Sequence, residues 1–475
     1  DFGTVVQLSS FSLSNEGDTI RLLDPDGQTI DAVAYLRSWH ETGKDEGGFS
    51  LERINPSSPC LLGSSNWTSS NAPLGASPGS PNTVLDESQT DRRGPRLIKA
   101  YSAANAPNEV QLFFDEALDE NSVVLALDFS ISPELSPVSA SLEPPLYNSV
   151  RLDFTTDMSP ATTYEIEIGD SVADCVNNSI DTSNTARFAL PEAVEPLDII
   201  LNEVLYNPET GGSRFVELFN RSSKVIDVID LHLAKRNEFG NLAFQTFPED
   251  PCLIFPGDYL VLTPSPEDIR NRYFTQNPNA FLSMDVPTYD DREDAVVLLS
   301  TGSLIIDELQ YTRDFHNELL DDFNGVSLER ISPDALTQAD ASWHSAAAAV
   351  GFATPTYENS QIMPTAAPGD SPIRLAETTI SPDNDGFQDV LLINYQTEQA
   401  GFVANLNIYD ARGRLIKNLT ENEILASSGQ IKWDGTTNDR EKARIGIYIL
   451  WGELIHPDGT VIGVKESLVV AGRLD

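Results

Sequence analysis

A block of more than sixty residues occurs twice in this chain, and this repeat limits the possible fold more than any other sequence feature. The segment 18–23 matches 294–299 at an offset of 276 residues, and the phrase Ser-Leu-Glu-Arg-Ile-x-Pro occurs at both 50–56 and 327–333. Single residues recur within one position of that offset, namely His40 and His316, Trp67 and Trp343, and Asn82 and Asn359. We therefore predict that the two blocks share one domain architecture.

The second copy has more sequence in front of it than the first. It begins near Ile199, in "LDIILNEVLYNP" at 197–208, so the first copy lacks roughly its first 77 residues. An incomplete sandwich exposes strand edges. We therefore predict that missing N-terminal sequence or another chain completes the first domain.

Short runs of alternating apolar and polar residues dominate the chain, separated by clusters of Gly, Pro, Asn and Asp. Val110, Leu112 and Phe114 are one such run, and this period of two is typical of strands with one buried face. The sequence therefore predicts an all-β protein of tandem Ig-like β-sandwich domains joined by short linkers. One helix is predicted after Ser265, which is followed by Pro266 at the first helical position.

The boundaries follow from the repeat and from composition. A partial domain is predicted at 1–86, a spacer sandwich at 95–192 and a complete repeat at 196–360. A linker rich in Pro, Ala, Gly and Ser follows at 361–372, and a last sandwich at 373–475.

The complete repeat resembles the lamin tail domain. The carriers are "LNEVLYNP", "FVELFN", "FPGDYLVLT", "AVVLLSTGSLIIDELQY" and "SLER". The resemblance implies an Ig-like sandwich that binds or supports other molecules, and bacterial members of this family generally occur in exported proteins.

The two other domains carry resemblances of their own. The spacer, with "PRLIKAYS" and "TTYEIEIGDSVADCVNNSI", resembles bacterial Ig-like domains of surface proteins, with Asn in place of a Gly turn at 174–178. The terminal unit, with "SPDNDGFQD", "LNIYDARGRLI" and "KWDG", is similar to the Ig-like domain of hook-capping proteins and of type IX secretion cargo. That second resemblance implies export through the outer membrane of a Gram-negative bacterium.

Composition excludes some partners. Thirty basic against 73 acidic residues give a net charge of −43, which repels phosphate backbones, so nucleic acid is not expected. No apolar run is long enough to span a membrane. Cys60, Cys175 and Cys252 are too few and too dispersed for a disulfide framework or a zinc site. Cys60 is interpreted either as bonded to the absent segment or as a buried thiol.

Catalytic motifs are absent from the sequence, so we predict that the protein is not an enzyme. His40 and His316 are interpreted as a repeated structural position, since neither has a matched nucleophile or carboxylate. Glu52 and Glu329 are predicted to face solvent, because Leu before each one is expected to face the core. Trp67 and Trp343 are predicted to pack in or beside the core.

Calcium is the one cofactor that the sequence suggests. Asp383, Asp385 and Asp389 surround a Gly turn, and carboxylate oxygens at such spacing suit Ca²⁺, although the same residues also make ordinary turns. The segments "DPDG" at 24–27 and "HPDG" at 456–459 are predicted to be turns, and "YDDRED" at 289–294 an acidic loop that could hold a metal.

These patterns predict a non-catalytic, exported surface protein that serves as a binding or scaffold module. Its expected partners are proteins at the outer membrane or cell surface, and it is expected to be cargo or partner of a type IX secretion system. Two alternatives stay open: the non-catalytic C-terminal portion of a secreted hydrolase, and a permanent component of the secretion machinery.

Overall fold

The computed structural model describes residues 12–15, 17–58, 60–123, 128–237, 239–248, 251–320, 322–363, 371–383 and 388–472. The described chain is nearly all β, which confirms the predicted fold class. Alternation works as predicted in the strand Glu109–Phe114, where Val110, Leu112 and Phe114 are buried and the residues between them are partly exposed. The chain divides into two compact units. The predicted domain boundaries themselves stay predictions.

The first unit comprises Asp1–Glu192 with Lys224–Ile226 and Pro251–Leu253. Its first-repeat strands form two antiparallel pairs, β1 with β2 and β3 with β4. Their bounds are β1 (Gly17–Leu23), β2 (Thr29–Leu36), β3 (Leu51–Arg53) and β4 (Trp67–Ser69).

The spacer in the same unit is a sandwich of a four-stranded and a three-stranded antiparallel sheet, ordered β5-β6-β9-β8 and β11-β10-β7. Apolar side chains from both sheets, among them Leu112, Leu152, Ile166 and Phe188, form one core. The strands are β5 (Leu97–Tyr101), β6 (Glu109–Phe114), β7 (Phe129–Ser132), β8 (Pro137–Glu143), β9 (Ser149–Phe154), β10 (Tyr164–Ile168) and β11 (Thr185–Phe188).

The second unit comprises Ala193–Ser223, Asp227–Asp250 and Ile254–Asp475, and it contains the second repeat. The repeat's sheets are ordered β19-β18-β13-β12-β22-β23, β16-β15-β20-β21 and β14-β17. The strands are β12 (Ile199–Leu205), β13 (Phe215–Asn220), β14 (Ile226–Asp227), β15 (Leu231–Arg236), β16 (Leu242–Thr246), β17 (Leu253–Ile254), β18 (Tyr259–Thr263), β19 (Phe281–Ser283), β20 (Glu293–Ser300), β21 (Ile305–Thr312), β22 (Leu328–Arg330) and β23 (Trp343–Ser345).

The predicted helix is present as α1 (Pro266–Arg272), and Ser265 Oγ accepts a hydrogen bond from Asp268 N at 3.4 Å. Acidic residues in its first turn and arginines in its last turn suit the helix dipole. Short 3₁₀ turns make up the other described helices: Arg37–Trp39, Gly63–Ser65, Val228–Asp230, Arg313–Phe315, Asp340–Ser342 and Ala348–Val350. None of the helices in the described part of the chain has the length and apolarity that a membrane span requires.

The terminal part of the second unit is a further sandwich, with sheets ordered β24-β26-β29 and β25-β31-β30-β27-β28. It contacts the repeat through polar groups: Gln361 Nε2 donates to Leu425 O at 3.1 Å, and Gln361 Oε1 accepts from Gly401 N at 3.1 Å. The strands are β24 (Ile373–Leu375), β25 (Thr379–Ile380), β26 (Leu391–Gln396), β27 (Val403–Asp410), β28 (Leu415–Ile424), β29 (Ser428–Trp433), β30 (Gly446–Ile455) and β31 (Val461–Val470).

A disulfide joins Cys60 to Cys175, which corrects both interpretations of Cys60. The half-cystines are 115 residues apart in sequence, and sequence spacing alone gave no reason to pair them. Cys252, the third cysteine, is partly exposed and is not part of that disulfide. The turn beside Cys175 follows the prediction, because Asn177 has a φ of +71°, in the left-handed region that asparagine tolerates.

Candidate functional site

Polar pairs of the first repeat recur in the second with the same geometry. Nδ1 of His40 lies 2.9 Å from Ser69 Oγ, and Nδ1 of His316 lies 2.9 Å from Ser345 Oγ. The arginine of each Leu-Glu-Arg strand also forms an ion pair with an aspartate at 3.1 Å: Arg53 pairs with Asp31, and Arg330 pairs with Asp307. The two copies therefore share local architecture.

The pairing of His316 with Ser345 has the composition of a nucleophile and its base, but both side chains are buried. Ser345 Oγ also accepts a hydrogen bond from Asn317 N at 3.1 Å. Burial, followed by the charge of Arg313, lowers the pKa of His316 to about 3, so the ring is neutral. A side chain enclosed in this way cannot meet a substrate, which favours the structural interpretation of this histidine.

The prediction that Glu52 and Glu329 face solvent is wrong. Both are buried, and Leu328 and Arg330 on either side of Glu329 are buried as well. The alternation rule fails because polar donors cover each glutamate: Ser70 Oγ and Thr83 N donate to Glu52. Thr354 Oγ1 and Ser360 Oγ donate in the same way to Glu329. Trp343 is buried, as predicted for the core, and its Nε1 donates to Thr337 O at 2.9 Å.

Glu329 is one of three buried glutamates on adjacent strands of the second repeat. Glu203 of β12 lies opposite Glu217 of β13 on one side and opposite Glu329 of β22 on the other. We call Glu203, Glu217 and Glu329 the glutamate cluster. The signal that sequence reasoning missed is a glutamate between apolar residues in each of three strands, "NEV", "VEL" and "LER".

Hydroxyl and amide donors surround the glutamate cluster. Glu203 Oε1 accepts from Ser327 Oγ at 2.5 Å and from Thr354 N at 2.9 Å. Glu329 Oε1 accepts from Thr354 Oγ1 at 2.8 Å, and Glu217 Oε1 accepts from Asn202 Nδ2 at 2.8 Å. The cluster thus fastens the segment that follows β23 to the face of the six-stranded sheet.

The electrostatics of the cluster favour protonated carboxyls. Burial is the main cause, and it raises the pKa of Glu217 to about 8 and of Glu329 to about 7. Burial and then the charges of Glu217 and Glu329 raise the pKa of Glu203 well above its ordinary value. Three adjacent carboxylates would repel one another if all were ionised.

Glu52, the first-repeat counterpart of Glu329, has the opposite electrostatics. Burial opposes its ionisation, but hydrogen bonds from Ser77, Ser70 and Thr83 outweigh that effect and lower its pKa to about 2. Ser77 Oγ donates at 2.6 Å, Ser70 Oγ at 2.7 Å and Thr83 N at 2.6 Å. No other glutamate of the described chain lies opposite Glu52 in a strand pair.

We expect the stability of the second unit to fall as pH rises from about 4.5 to about 8. A carboxyl whose pKa is higher in the folded than in the unfolded state contributes stability that is fully present below the unfolded value of 4.5. That stability is lost as pH rises through the folded values of about 7 and about 8. One pKa unit corresponds to about 1.4 kcal/mol, so the loss is on the order of several kcal/mol.

Urea unfolding of the second unit at pH 5 and pH 8, followed by hydrogen exchange, measures this loss. Glu203→Gln should make the free energy of unfolding less dependent on pH, because a glutamine side chain does not ionise. Its side-chain oxygen can accept the hydrogen bonds that Ser327 Oγ and Thr354 N donate to Glu203 Oε1. Glu52→Gln is the matched control. Because the pKa of Glu52 is lowered to about 2, this residue contributes stability that is present above pH 4.5 and is lost as the pH falls towards 2. An unchanged pH slope in Glu203→Gln would contradict the assignment.

Apolar side chains that are covered in the second repeat are exposed in the first. Leu298 of β20 is fully buried, whereas its counterpart Leu22 of β1 is 58% exposed. Ile306 of β21 is 1% exposed, whereas its counterpart Ile30 of β2 is 63% exposed. Likewise, Leu299 is buried and its counterpart Leu23 is exposed. The first repeat therefore presents an apolar strip that the second repeat encloses.

The N-terminal part of the second repeat supplies this cover. Leu233 of β15 lies opposite Leu298, and Leu197 N donates to Ile306 O at 2.8 Å. Strand β12 also pairs with β22, whereas β3 pairs only with β4 within the described residues. We call Leu22, Leu23, Ile30 and the edge of β3 that lies away from β4 the open face.

The three predicted calcium ligands are not all among the described residues. Asp383 and Asp389 are described, and Asp385 lies outside the described residues. The segments at 24–27 and 456–459 are turns, as predicted, with Gly27 N donating to Asp24 O and Gly459 N to His456 O. Of the predicted acidic loop at 289–294, Glu293 and Asp294 belong to β20 instead, and Asp294 Oδ2 accepts from Asp290 N at 3.0 Å.

The fold and the site define a multidomain β-sandwich protein built on a repeated, glutamate-containing sheet. Residues 193–313 match the family model of the Lamin Tail Domain, and residues 91–189 match that of the Bacterial Ig-like domain. These two matches confirm the predicted lamin tail and bacterial Ig-like domains. The resemblance of the terminal sandwich to hook-capping and type IX cargo domains stays a prediction. No curated protein matches the sequence.

Solved structures similar to this chain include the N-terminal part of the bacterial S-layer protein SbsC, with 11% identity over 46% of this chain and 43% of that one, at a TM-score of 0.18. Dimeric latent PorU from Porphyromonas gingivalis has 10% identity over 96% of this chain and 40% of that one, at 0.18. PorZ of the same organism has 12% identity over 96% and 69%, at 0.19. The chain spans less than half of the first two structures.

Proposed function

We propose that this chain is a non-catalytic, exported surface protein that works as a binding and scaffold module, and that the open face is its strand-accepting site. The observation that carries the proposal is the contrast in exposure between Ile30 and Ile306, which occupy the same position in the two repeats. Exposed apolar side chains, together with a strand edge that no described strand pairs, mark a surface that a further β-segment covers, whether it belongs to preceding sequence or to another chain.

The second repeat indicates the chemistry of that segment. Its own cover starts at Leu197, whose N donates to Ile306 O of β21, and continues into β12, which pairs with β22. The open face is therefore suited to a β-segment of lamin-tail type, resembling residues 197–208. Strand addition of this kind takes its affinity from the backbone and its specificity from alternate side chains.

A fluorescent peptide with the sequence of residues 197–208, titrated into the full chain, tests the proposal. We expect a saturable rise in anisotropy, and at least about tenfold weaker binding for Ile30→Arg, because a buried unpaired charge is strongly disfavoured. Ile98→Arg is the matched control, since Ile98 is an exposed isoleucine of the spacer strand β5. Absence of binding, or equal weakening by the two variants, would refute the strand-accepting role.

The same proposal includes a route out of the cell. The disulfide between Cys60 and Cys175 suits an oxidising compartment, since such bonds rarely persist in reducing cytosol. Together with the resemblance of the terminal sandwich, it supports handling by a type IX secretion system. Stable co-purification with outer-membrane secretion proteins would favour a permanent component of the secretion machinery. An enzyme domain in the native polypeptide would favour the non-catalytic C-terminal portion of a secreted hydrolase.

A further inference from the structure

A polar cavity of about 400 Å³ lies in the second repeat, and its volume is within the range of small-molecule sites. Four separate chain segments line it. They contribute Arg214 just before β13, Gln245 of β16, Pro264 just after β18, and Asp285 between β19 and β20. Strands β13, β18 and β19 belong to the six-stranded sheet and β16 to the four-stranded sheet, so segments of both sheets form the cavity wall.

Arg214 differs from the other arginines that the structure describes. It is only partly exposed, yet none of the described carboxylates forms an ion pair with it. In a chain with 73 acidic and 30 basic residues, such an arginine is an exception. Each other described arginine that is buried or partly exposed has a carboxylate partner: Arg37 pairs with Asp45, Arg53 with Asp31, Arg96 with Asp115, Arg236 with Glu308, and Arg330 with Asp307. The guanidinium of Arg214 is therefore available to an anionic group from outside the chain.

Neighbouring contacts hold Arg214 at the cavity wall. Its Nη1 donates to Thr288 Oγ1 at 2.5 Å, and Lys235 Nζ donates to Thr288 O at 2.6 Å. The backbone is fixed as well, because Thr263 Oγ1 donates to Arg214 O at 2.8 Å. A guanidinium has five N–H donors, so the bond to Thr288 leaves most of them to a ligand. A guanidinium held in this way is suited to a carboxylate, whose two oxygens match its planar fork.

Asp285 lines the same cavity without neutralising Arg214. Its side chain is exposed, and the charged atoms of the two residues are too far apart for an ion pair. A ligand that carries both a carboxylate and an ammonium group can therefore meet one opposite charge at each end. The net charge of −43 repels a ligand that carries only negative charge, whereas a zwitterion has no net charge. These charges favour a small zwitterion over a simple anion.

The remaining wall suits an apolar side chain. Pro264, Val286 and Pro287 line the cavity together with the charged residues. The rings of the two prolines have little conformational freedom to lose when a ligand binds. An amino acid with an aliphatic side chain, such as leucine, therefore combines the charges and the apolar surface that this cavity accommodates.

We infer that this cavity binds an aliphatic α-amino acid, whose carboxylate pairs with Arg214 and whose ammonium group pairs with Asp285. The site lies in the second repeat, whereas the open face belongs to the first. The inference is therefore independent of the strand-accepting role, and either one can fail without the other.

Titration of leucine into the full chain, followed by saturation-transfer NMR of the ligand, tests the inference. We expect a Kd on the order of 10⁻⁴–10⁻³ M, since a ligand with so few atoms gains little binding free energy. Two analogues test the charged contacts one at a time: isocaproate lacks the ammonium group, and isoamylamine lacks the carboxylate. Each analogue should bind at least about tenfold more weakly than leucine, because it loses a charged hydrogen-bond partner.

Variants of the two charged residues complete the test. Arg214→Gln and Asp285→Asn should each weaken leucine binding at least about tenfold. Arg292→Gln is the matched control and should leave binding unchanged, since Arg292 is an exposed arginine of the same repeat that does not line the cavity. If Arg214→Gln fails to fold, Asp285→Asn decides, because Asp285 is exposed.

Three results would overturn the inference. The first is that leucine does not bind to the parent chain. The second is that Arg292→Gln weakens leucine binding as much as Arg214→Gln or Asp285→Asn does. The third is that isocaproate or isoamylamine binds as tightly as leucine, since one of the two charged contacts would then contribute nothing.

Discussion

Arg330→Ala is expected to destabilise the second repeat by about 3–5 kcal/mol, whereas Arg53→Ala should cost the first repeat less than about 1 kcal/mol. The two arginines occupy equivalent positions and make the same ion pair at 3.1 Å. Arg330 is 1% exposed, and its Nη1 also donates to Leu201 O at 3.1 Å. Removing it leaves the carboxylate of Asp307 buried without its cation.

The pair around Arg53 lacks this enclosure. The side chain of Asp31 is about half exposed, so water compensates the carboxylate when the arginine is removed. Chemical denaturation followed by hydrogen exchange and mass spectrometry resolves the two repeats within one chain. The double variant of Arg330 and Asp307 supplies the coupling energy. Equal losses for Arg53→Ala and Arg330→Ala would show that the ion pair of Arg53 is as enclosed as that of Arg330, contrary to their exposures.

Leu298→Ala should cost about 2–5 kcal/mol, while Leu22→Ala should change stability by no more than about 0.5 kcal/mol. Leu298 lies opposite Leu233 of β15 and is fully enclosed, so truncation leaves a cavity and loses buried apolar area. Leu22 has no such neighbour within the described residues, and most of its surface is already in water.

The same two variants separate folding from binding. Leu22→Ala should weaken capture of the peptide of residues 197–208 even though the unfolding midpoint stays constant. Leu298→Ala should lower the unfolding midpoint of the second repeat and leave peptide capture by the first repeat intact. A large loss of stability in Leu22→Ala would mean that the open face is enclosed in solution, and the proposed function would then fail.

Sequence alone predicted the all-β class and the repeat, because both depend on local patterns. The alternation at Val110, Leu112 and Phe114 reports directly which face of a strand is buried. Matching residues such as His40 and His316 report shared architecture without any knowledge of contacts. Ser265 and Pro266 marked the start of the helix in the same local way.

The glutamates could not be placed in this way. The period of two assumes that a charged residue seeks water, and Glu329 violates it because hydroxyl and amide donors from the segment after β23 replace that water. Glu203 and Glu217 reach the same network from strands more than a hundred residues away in sequence. Burial of a carboxyl depends on such distant donors, which no pattern within one strand contains.

Cys60 and Cys175 illustrate the same limit for covalent structure. Their pairing across 115 residues follows from the packing of the first repeat on its spacer, and that packing has no local signature.

Hydrogen exchange at β3 and β22 in the same full chain tests the strand-accepting role of the open face. We expect fast exchange across Leu51–Arg53 in the free chain, slow exchange there after addition of the peptide of residues 197–208, and slow exchange across Leu328–Arg330 in both states. Equal protection of the two strands in the free chain, or no response of Leu51–Arg53 to the peptide, would contradict it.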